Sequence, residues 1–419
     1  MDRRSFVTTL AGVLLPMVSG RYETGRTGTA AAGWSALQKV MDDYVVTRRL
    51  AGAAAAIALG DSNPVFLRAG RIALDTEVPF DEHSLCRVYS MTKVVTGLAA
   101  MLLVEDGRLR LDQAVAEIAP ELRALDVAID PSTGLEARPA TRTMTIRHLL
   151  THTSGLAYWT PQSGTDALST AYRARGITPG NYGPGRSRPG HGPQAVGLDE
   201  MLKRIAELPL ASEPGTVWRY SVALDVMGLI IQRVSGKPLD VFARERLFEP
   251  LQMTATGFEV PPSAAPRLTT NYTVMPSGLA PLDPGPTSVF LRPSTLIAGG
   301  AGLVSSARDF ARIGAMLIGD GTVGRTRVMA ARSARLARSN LLPDGVSYDG
   351  GGYGAGMRVA TGGSKPQDAP GAVSWNGAAG TMWLVDCKKK LNFVFMSQFM
   401  PPTAYPIWDE VPAALAADA

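Results

Sequence analysis

Several features common in other protein classes are scarce in this chain. Of its 419 residues only two are cysteines, Cys86 and Cys387, so at most one disulfide can form and no disulfide-rich scaffold is encoded. Histidines number four (His83, His148, His152 and His191), and no Cys/His spacing matches a metal site, so no motif implies a metal or cofactor. Charged residues make up 19% of the chain, and the longest basic run is Lys388–Lys390. A net charge of +5 spread this thinly excludes the basic stripe of a nucleic-acid binder. The one N-terminal apolar stretch, "FVTTLAGVLLPMVSG", is short and broken by Pro16, so it gives no stable membrane anchor. Gly-x-Ser-x-Gly, the nucleophile elbow of an α/β-hydrolase, occurs at no serine.

What is present begins with Arg3-Arg4, a short apolar region and then small residues around Ala30-Ala31-Ala32. That order matches an export signal of twin-arginine type, which predicts a periplasmic or secreted protein and sets residues 1–32 aside from the fold. Apolar content of 45% is ordinary for a globular protein.

Along the rest of the chain, residues 34–48 carry helical apolar spacing, and "GAAAAIALG" and "PVFLRAGR" flank a turn-prone Gly60–Asn63 as a hairpin. An apolar helix follows Ser90 and stops before Gly107. "TIRHLLTHTSG" reads as a short helix running from a Thr145 cap to Gly155, with His148 and His152 both on it in packing or capping roles. "LDEMLKRIAEL" and "ALDVMGLIIQRVSG" are helices, and 176–197, half glycine and proline, is a loop. Ser306 caps a further helix. "GAVSWNGAAG", "TMWLVD" and "LNFVFMSQ" return to strands, and a helix over 407–417 closes the chain. Strands at both ends and helices between predict an α/β (α+β) domain over 33–88 and 290–419. The intervening 89–289 is expected as an all-helical insert, with Ser90 and Lys93 at the interface.

Chemistry enters at Ser90-Met91-Thr92-Lys93. On a helix, residues three apart share a face, so Lys93 stands where a base for the Ser90 hydroxyl would stand. Two exposed polar side chains on a helix surface would give the same spacing. Tyr220 follows a Pro-Gly turn and immediately precedes a helix, placing its phenol where it can accept a serine proton and pass it on; a packed core tyrosine is the alternative. "WNGAAG" supplies small residues that let a backbone approach a substrate, or form a buried glycine-rich edge. Tyr158 and Trp159 either line an acyl pocket or pack a loop, and Asp225 either caps or pairs locally.

Together, Ser90–Lys93, "HLLTHTSGL", "EPGTVWRYS", "GGAGLVSSARDFARIG" and "WNGAAGT" come in an order that resembles the serine β-lactamase and penicillin-binding-protein superfamily. The chain is most similar to the class C β-lactamase-related esterases called family VIII carboxylesterases, over about residues 35–417. The resemblance implies a β-lactamase/transpeptidase-like fold, an antiparallel sheet flanked by helices. It implies Ser90 as acylated nucleophile, Lys93 as its activating partner, Tyr220 as base and then acid, and the amides of Ser90 and Ala378 as oxyanion hole. Trp375, Asn376, Gly377, Tyr158 and Trp159 become candidate substrate-binding residues.

Two departures bear on substrate. Val222 replaces the asparagine of the lactamase Tyr-x-Asn, and Trp375-Asn376-Gly377 replaces Lys-Thr-Gly, removing the lysine that binds a lactam carboxylate. The expected partner is therefore a small, uncharged ester with a short acyl chain. A β-lactamase or D,D-peptidase, an acyltransferase or amide hydrolase on the same scaffold, and a non-catalytic sensor stay as alternatives. The sensor is opposed by an intact Ser-Lys-Tyr set. Oligomeric state is not encoded in any motif.

Overall fold

The computed structural model describes residues 33–60, 62–159, 166–178, 191–363 and 366–419. Residues 1–32, expected as an export signal, and the centre of the 176–197 loop lie outside the described residues.

A seven-stranded, wholly antiparallel sheet runs in the order Gly352–Tyr353, Arg358–Val359, Val373–Gly377, Thr381–Asp386, Leu391–Met396, Gly52–Ala58, Val65–Gly70. The two ends of the chain thus meet in mid-sheet, where Ala54 pairs with Met396 and Ala58 with Asn392. Successive side chains of a strand point to opposite faces, and here both faces are covered, so the central strands read as continuous apolar runs. Ala53, Ala55, Ile57, Met382, Leu384, Phe393 and Phe395 join one core with the helices Ser35–Val46 and Ile407–Asp418. Ala54, Ala56, Trp383, Val385, Val394 and Met396 join the other, with Thr92–Glu105 and Ala307–Ile318. The Asp418 carboxylate accepts from the amides of Ala36 and Leu37 at 3.1 and 2.9 Å, so the last helix caps the first at its positive end.

The helix Thr92–Glu105 is buried from Thr92 to Leu103, which is why its apolar residues fill every side rather than one stripe. Ala223–Ser235 packs on it and stops at Gly236, whose φ of 71° is left-handed. The insert is helix-rich but not wholly helical. Asn271–Met275 and Gly278–Asp283 form a hairpin that takes up Phe399–Met400 in parallel, and Asp126–Ala128 pairs with Ala137–Pro139. Both ribbons lie in Pro/Gly-rich sequence, where short strands carry little periodic signal. Arg87, fully buried, ties the hairpin to the Ser90 segment: it donates to the Asp283 carboxylate at 2.6 Å and to the Thr269 carbonyl and Ser288 hydroxyl.

One helix is shorter than its sequence suggests. Ile146–Leu150 is closed at its start by a reciprocal Thr145/His148 capping box and ends there, leaving His152 outside it with φ of 56°. His148 and His152 therefore do not share a helix. Cys86 is buried and Cys387 half-buried, both as free thiols.

Candidate active site

The Ser90 segment leaves the strand Cys86–Arg87, which pairs with Val304–Ser305, and turns through Tyr89–Met91 into the helix Thr92–Glu105. Tyr89 carries φ of 41°, a left-handed strain for a bulky residue, and its hydroxyl accepts from Asn271 Nδ2 at 3.0 Å. Ser90 thus sits on a held turn at a helix N-terminus, where free amides favour negative charge.

Ser90 Oγ lies 2.6 Å from Tyr220 Oη. Lys93, fully buried, points Nζ at Ser90 Oγ (3.4 Å) and donates to the Gly300 carbonyl at 2.7 Å. The ammonium stands 4.6 Å from the centroid of the Tyr220 ring and 5.6 Å from that of Tyr158, within cation–π range of both. A serine hydroxyl in a 2.6 Å contact with a phenol beside a buried amine is the arrangement a proton relay needs.

Tyr220 is placed by backbone pairing across a turn. Gly215 N donates to Thr153 O, Arg219 N to His152 O and Val222 N to Ala157 O, so residues 215–222 run alongside 152–157. His152 is fully buried behind them: its Nδ1 accepts from Ser221 N at 3.2 Å, which leaves the ring neutral with its proton on Nε2. Burial, and then the charge of Lys93, hold it well below the usual histidine range. Its ring lies 4.9 Å from the Tyr220 ring. It supports the phenol as a neutral wall and makes no hydrogen bond to Ser90.

Around Tyr220 stands an aromatic wall. Tyr158 is tilted against it at 5.1 Å, Trp375 at 5.8 Å, and Trp218 stacks at 6.2 Å. Tyr348 contacts Trp218 at 4.1 Å, and Tyr353 meets Trp375 edge-on at 5.2 Å. Burial pushes the phenols of Tyr348 and Tyr353 above their ordinary range, so both are neutral near pH 7. No sequence pattern singles out Trp218, Tyr348 or Tyr353. Their signal is weak: Tyr348 and Tyr353 stand in "YDGGGYG", a stretch with no periodicity. Asp225, expected to act locally, instead reaches across the fold to accept from Gly300 N at 2.9 Å. It is buried, which raises its carboxyl above the usual range against the opposing pull of Lys93.

The strand Val373–Gly377 packs against the Tyr89–Met91 turn. A Cβ on Gly377 would meet the Val88 carbonyl at 2.4 Å, so only glycine allows this approach. The turn after it closes through Gly380 N to Gly377 O, and Ala378 stands at its start, directly beyond the contact. The pleat sends Trp375 into the aromatic wall and Asn376 to the opposite face, beside Ser374, Met382, Leu384 and Trp408. The substrate-binding expectation for the Asn376 side chain is corrected on that ground. Tyr158 faces Tyr220 and Lys93, whereas Trp159 turns to His191 (4.5 Å) and Arg173 (5.3 Å). The structure thus brings together Ser90, Lys93, Tyr220, Tyr158, Trp375 and the Gly377–Ala378 step, and leaves Asn376 and Trp159 packing elsewhere.

Comparison with known proteins identifies the family. A family model described as Beta-lactamase matches residues 37–417. Protein Rv1367c of Mycobacterium tuberculosis is 37% identical over 344 residues, covering 78% of this chain and 80% of its own. Esterase EstB of Burkholderia gladioli is 32% identical over 401 residues, covering 90% and 92%. Among solved structures, "EstCE1, a hydrolase with promiscuous acyltransferase activity" superposes with a TM-score of 0.72 over 92% of this chain and 99% of its own; at 22% identity that is a likeness of fold. The chain belongs to the Beta-lactamase family, within the serine β-lactamase/penicillin-binding-protein superfamily and on its esterase-like side.

Proposed function

We propose that the protein is a carboxylesterase that hydrolyses small, uncharged esters through an acyl-Ser90 intermediate. The observation that carries this reading is the Ser90 Oγ–Tyr220 Oη contact of 2.6 Å beside the buried Lys93. In the first half-reaction Ser90 Oγ attacks the ester carbonyl carbon while its proton passes to Tyr220 Oη. The carbonyl oxygen becomes an oxyanion held by the amides of Ser90 and Ala378. Collapse breaks the bond to the alcohol oxygen, which takes the proton from Tyr220. Water repeats the sequence on the acyl-enzyme, releasing the acid and restoring Ser90. Lys93, anchored on the Gly300 carbonyl, holds the Ser90 hydroxyl in line for the transfer to Tyr220.

Selection for a neutral ester rests on what faces the site. Trp375 offers an indole where a lactam carboxylate would need a cation, and Tyr158, Trp218 and Tyr348 extend the same aromatic surface. That surface also favours a second reading, in which an apolar alcohol replaces water as the acyl acceptor; the structural neighbour EstCE1 is a hydrolase with promiscuous acyltransferase activity. For residues 1–32 we propose twin-arginine export, tested by whether replacing Arg3 and Arg4 with lysine keeps the protein in the cytoplasm.

The test of the main reading pairs p-nitrophenyl butyrate with nitrocefin. Ester turnover well above nitrocefin turnover, lost in Ser90→Ala and Tyr220→Phe, supports an esterase; preferred nitrocefin turnover makes it a lactamase. A mixture with 1-butanol distinguishes transfer from hydrolysis by the appearance of butyl butyrate.

A further inference from the structure

The reacting group contains a buried cation with no ion pair. Among the described residues Lys93 Nζ makes hydrogen bonds to no carboxylate, although the side chain is fully buried. Its hydrogen bonds go to a backbone carbonyl and, at 3.4 Å, to a hydroxyl. An ammonium out of water needs a compensating charge, and Val222, two residues past Tyr220, offers only an apolar side chain.

A buried carboxylate stands on the other side of Gly300. Asp225 lies near the start of the helix Ala223–Ser235 and is 1% exposed. Its Oδ1 accepts from Gly300 N at 2.9 Å, and the carbonyl of that same Gly300 accepts from Lys93 Nζ at 2.7 Å. Gly300 therefore links anion to cation through its two backbone groups. The contact is tight: a Cβ on Gly300 would come 2.4 Å from Asp225 Oδ2 and 3.1 Å from Oδ1, so the residue must be glycine for the carboxylate to reach it. Gly299 is pinned from the other side by the Thr96 hydroxyl at 2.7 Å, which fixes the loop between the two helices. Asp225 Oδ2 is buried without a partner, so hydrogen bonding within the fold leaves half of this carboxylate's capacity unused.

We infer that Asp225 is the positioning residue of this site: its carboxyl group is the counter-charge to Lys93 and, through Gly300, aims Nζ at Ser90. The inference rests on the reading of Ser90, Lys93 and Tyr220 as the reacting group. The other titratable groups facing Lys93 are Tyr158 and Tyr220, from the loops after 155 and before 223, and His152, which is neutral; Tyr348 and Tyr353 face Tyr220 in turn.

The sign of the effect follows from the charge. A nearby carboxylate favours the protonated form of the Lys93–Tyr220 group, so removing it should let that group lose its proton at lower pH. Asp225→Asn keeps an acceptor for Gly300 N and removes only the charge; Asp225→Glu keeps the charge and alters the shape. With p-nitrophenyl butyrate, the acid limb of kcat/KM against pH is expected to move down by about one unit in Asp225→Asn and to stay near the wild-type position in Asp225→Glu. A folded Asp225→Asn whose acid limb does not move overturns the inference and leaves Asp225 a purely structural residue.

Unfolding temperatures give a test that needs no activity. If the two charges compensate each other, Lys93→Met strands a buried carboxylate, and adding Asp225→Asn should recover most of the lost stability. Additive losses in the double variant contradict the inference; an Asp225→Asn chain that folds only together with Lys93→Met supports it. Ester turnover retained in Ser90→Ala would sink the esterase reading and leave this unfolding cycle unaffected.

Discussion

The two sides of the site are built on different principles. On the nucleophile side, Ser90, Lys93 and Tyr220 are joined by contacts of 2.6 to 3.4 Å, and Gly300 and Asp225 continue the chain of hydrogen bonds inward. On the far side, Trp218, Tyr348, Tyr353 and Trp375 meet ring to ring, and the Nε1 of both tryptophans and the Oη of Tyr353 are buried without partners. Directional bonds fix a proton path; aromatic faces fix only shape and polarity. The comparison assigns chemistry to one side and choice of substrate to the other, and substitutions on the two sides should fail in different ways.

The largest effect is expected on the nucleophile side. Ser90→Ala should lower kcat by roughly 10⁴–10⁶-fold and Tyr220→Phe by roughly 10²–10⁴-fold, with KM little changed, read in steady-state ester hydrolysis. Across the site, Trp375→Lys should act mainly through KM. It should raise KM for p-nitrophenyl butyrate about tenfold while improving binding of substrates that carry a carboxylate, which competition with an anionic ester would reveal. Similar kcat losses from both substitutions would erase the distinction.

Gly377→Ala tests the seam between the two sides. A methyl there meets the Val88 carbonyl, so unfolding should cost about 1–3 kcal/mol less, and acylation should slow as the Ala378 amide is pushed back. Acid stability should report on the two buried histidines together. Burial first, then Arg142 and Arg147, lower His148 to about 4 from the ordinary 6.5. His152 is lower than usual as well. Both are neutral when folded and take up protons more readily when unfolded. Their contribution is therefore intact above about pH 6.5 and lost as pH falls toward 4, in a thermal-melt series that His148→Gln should flatten. The smallest effect is at the surface: Arg233→Met breaks its pairs with Glu121 and Asp199 and should cost about 0.2–1 kcal/mol near neutral pH. Glu121, held at about 2 chiefly by that hydrogen bond, loses its share as pH drops from 4.5 through 2.

Legibility in the sequence divides along the same line. Ser90 and Lys93 are readable because i,i+3 spacing on a helix is local geometry, and Tyr220 because a Pro-Gly turn and a helix start bracket it. The sheet is readable because both ends of the chain carry strand patterns. The aromatic wall is not, since Trp218, Tyr348 and Tyr353 come from loops that only tertiary packing brings together. Asn376 is a candidate only through the motif resemblance, which does not register that a strand's pleat turns the middle residue of three away from its neighbours' face. His152 lies off the helix because the helix ends at Leu150, with Thr151 as its C-cap, and the chain turns left-handed at His152 well before Gly155. Asp225 looked local because its partner, Gly300, lies 75 residues on.

The most direct test of the account is to quench the protein with acid during turnover of p-nitrophenyl butyrate and map the adduct by peptide mass spectrometry. The account predicts a butyryl group on the peptide containing Ser90, building up in Tyr220→Phe if deacylation is slowed more than acylation, and absent in Ser90→Ala. Sustained ester turnover with Ser90 never modified, or a butyryl group on another nucleophile, would contradict it.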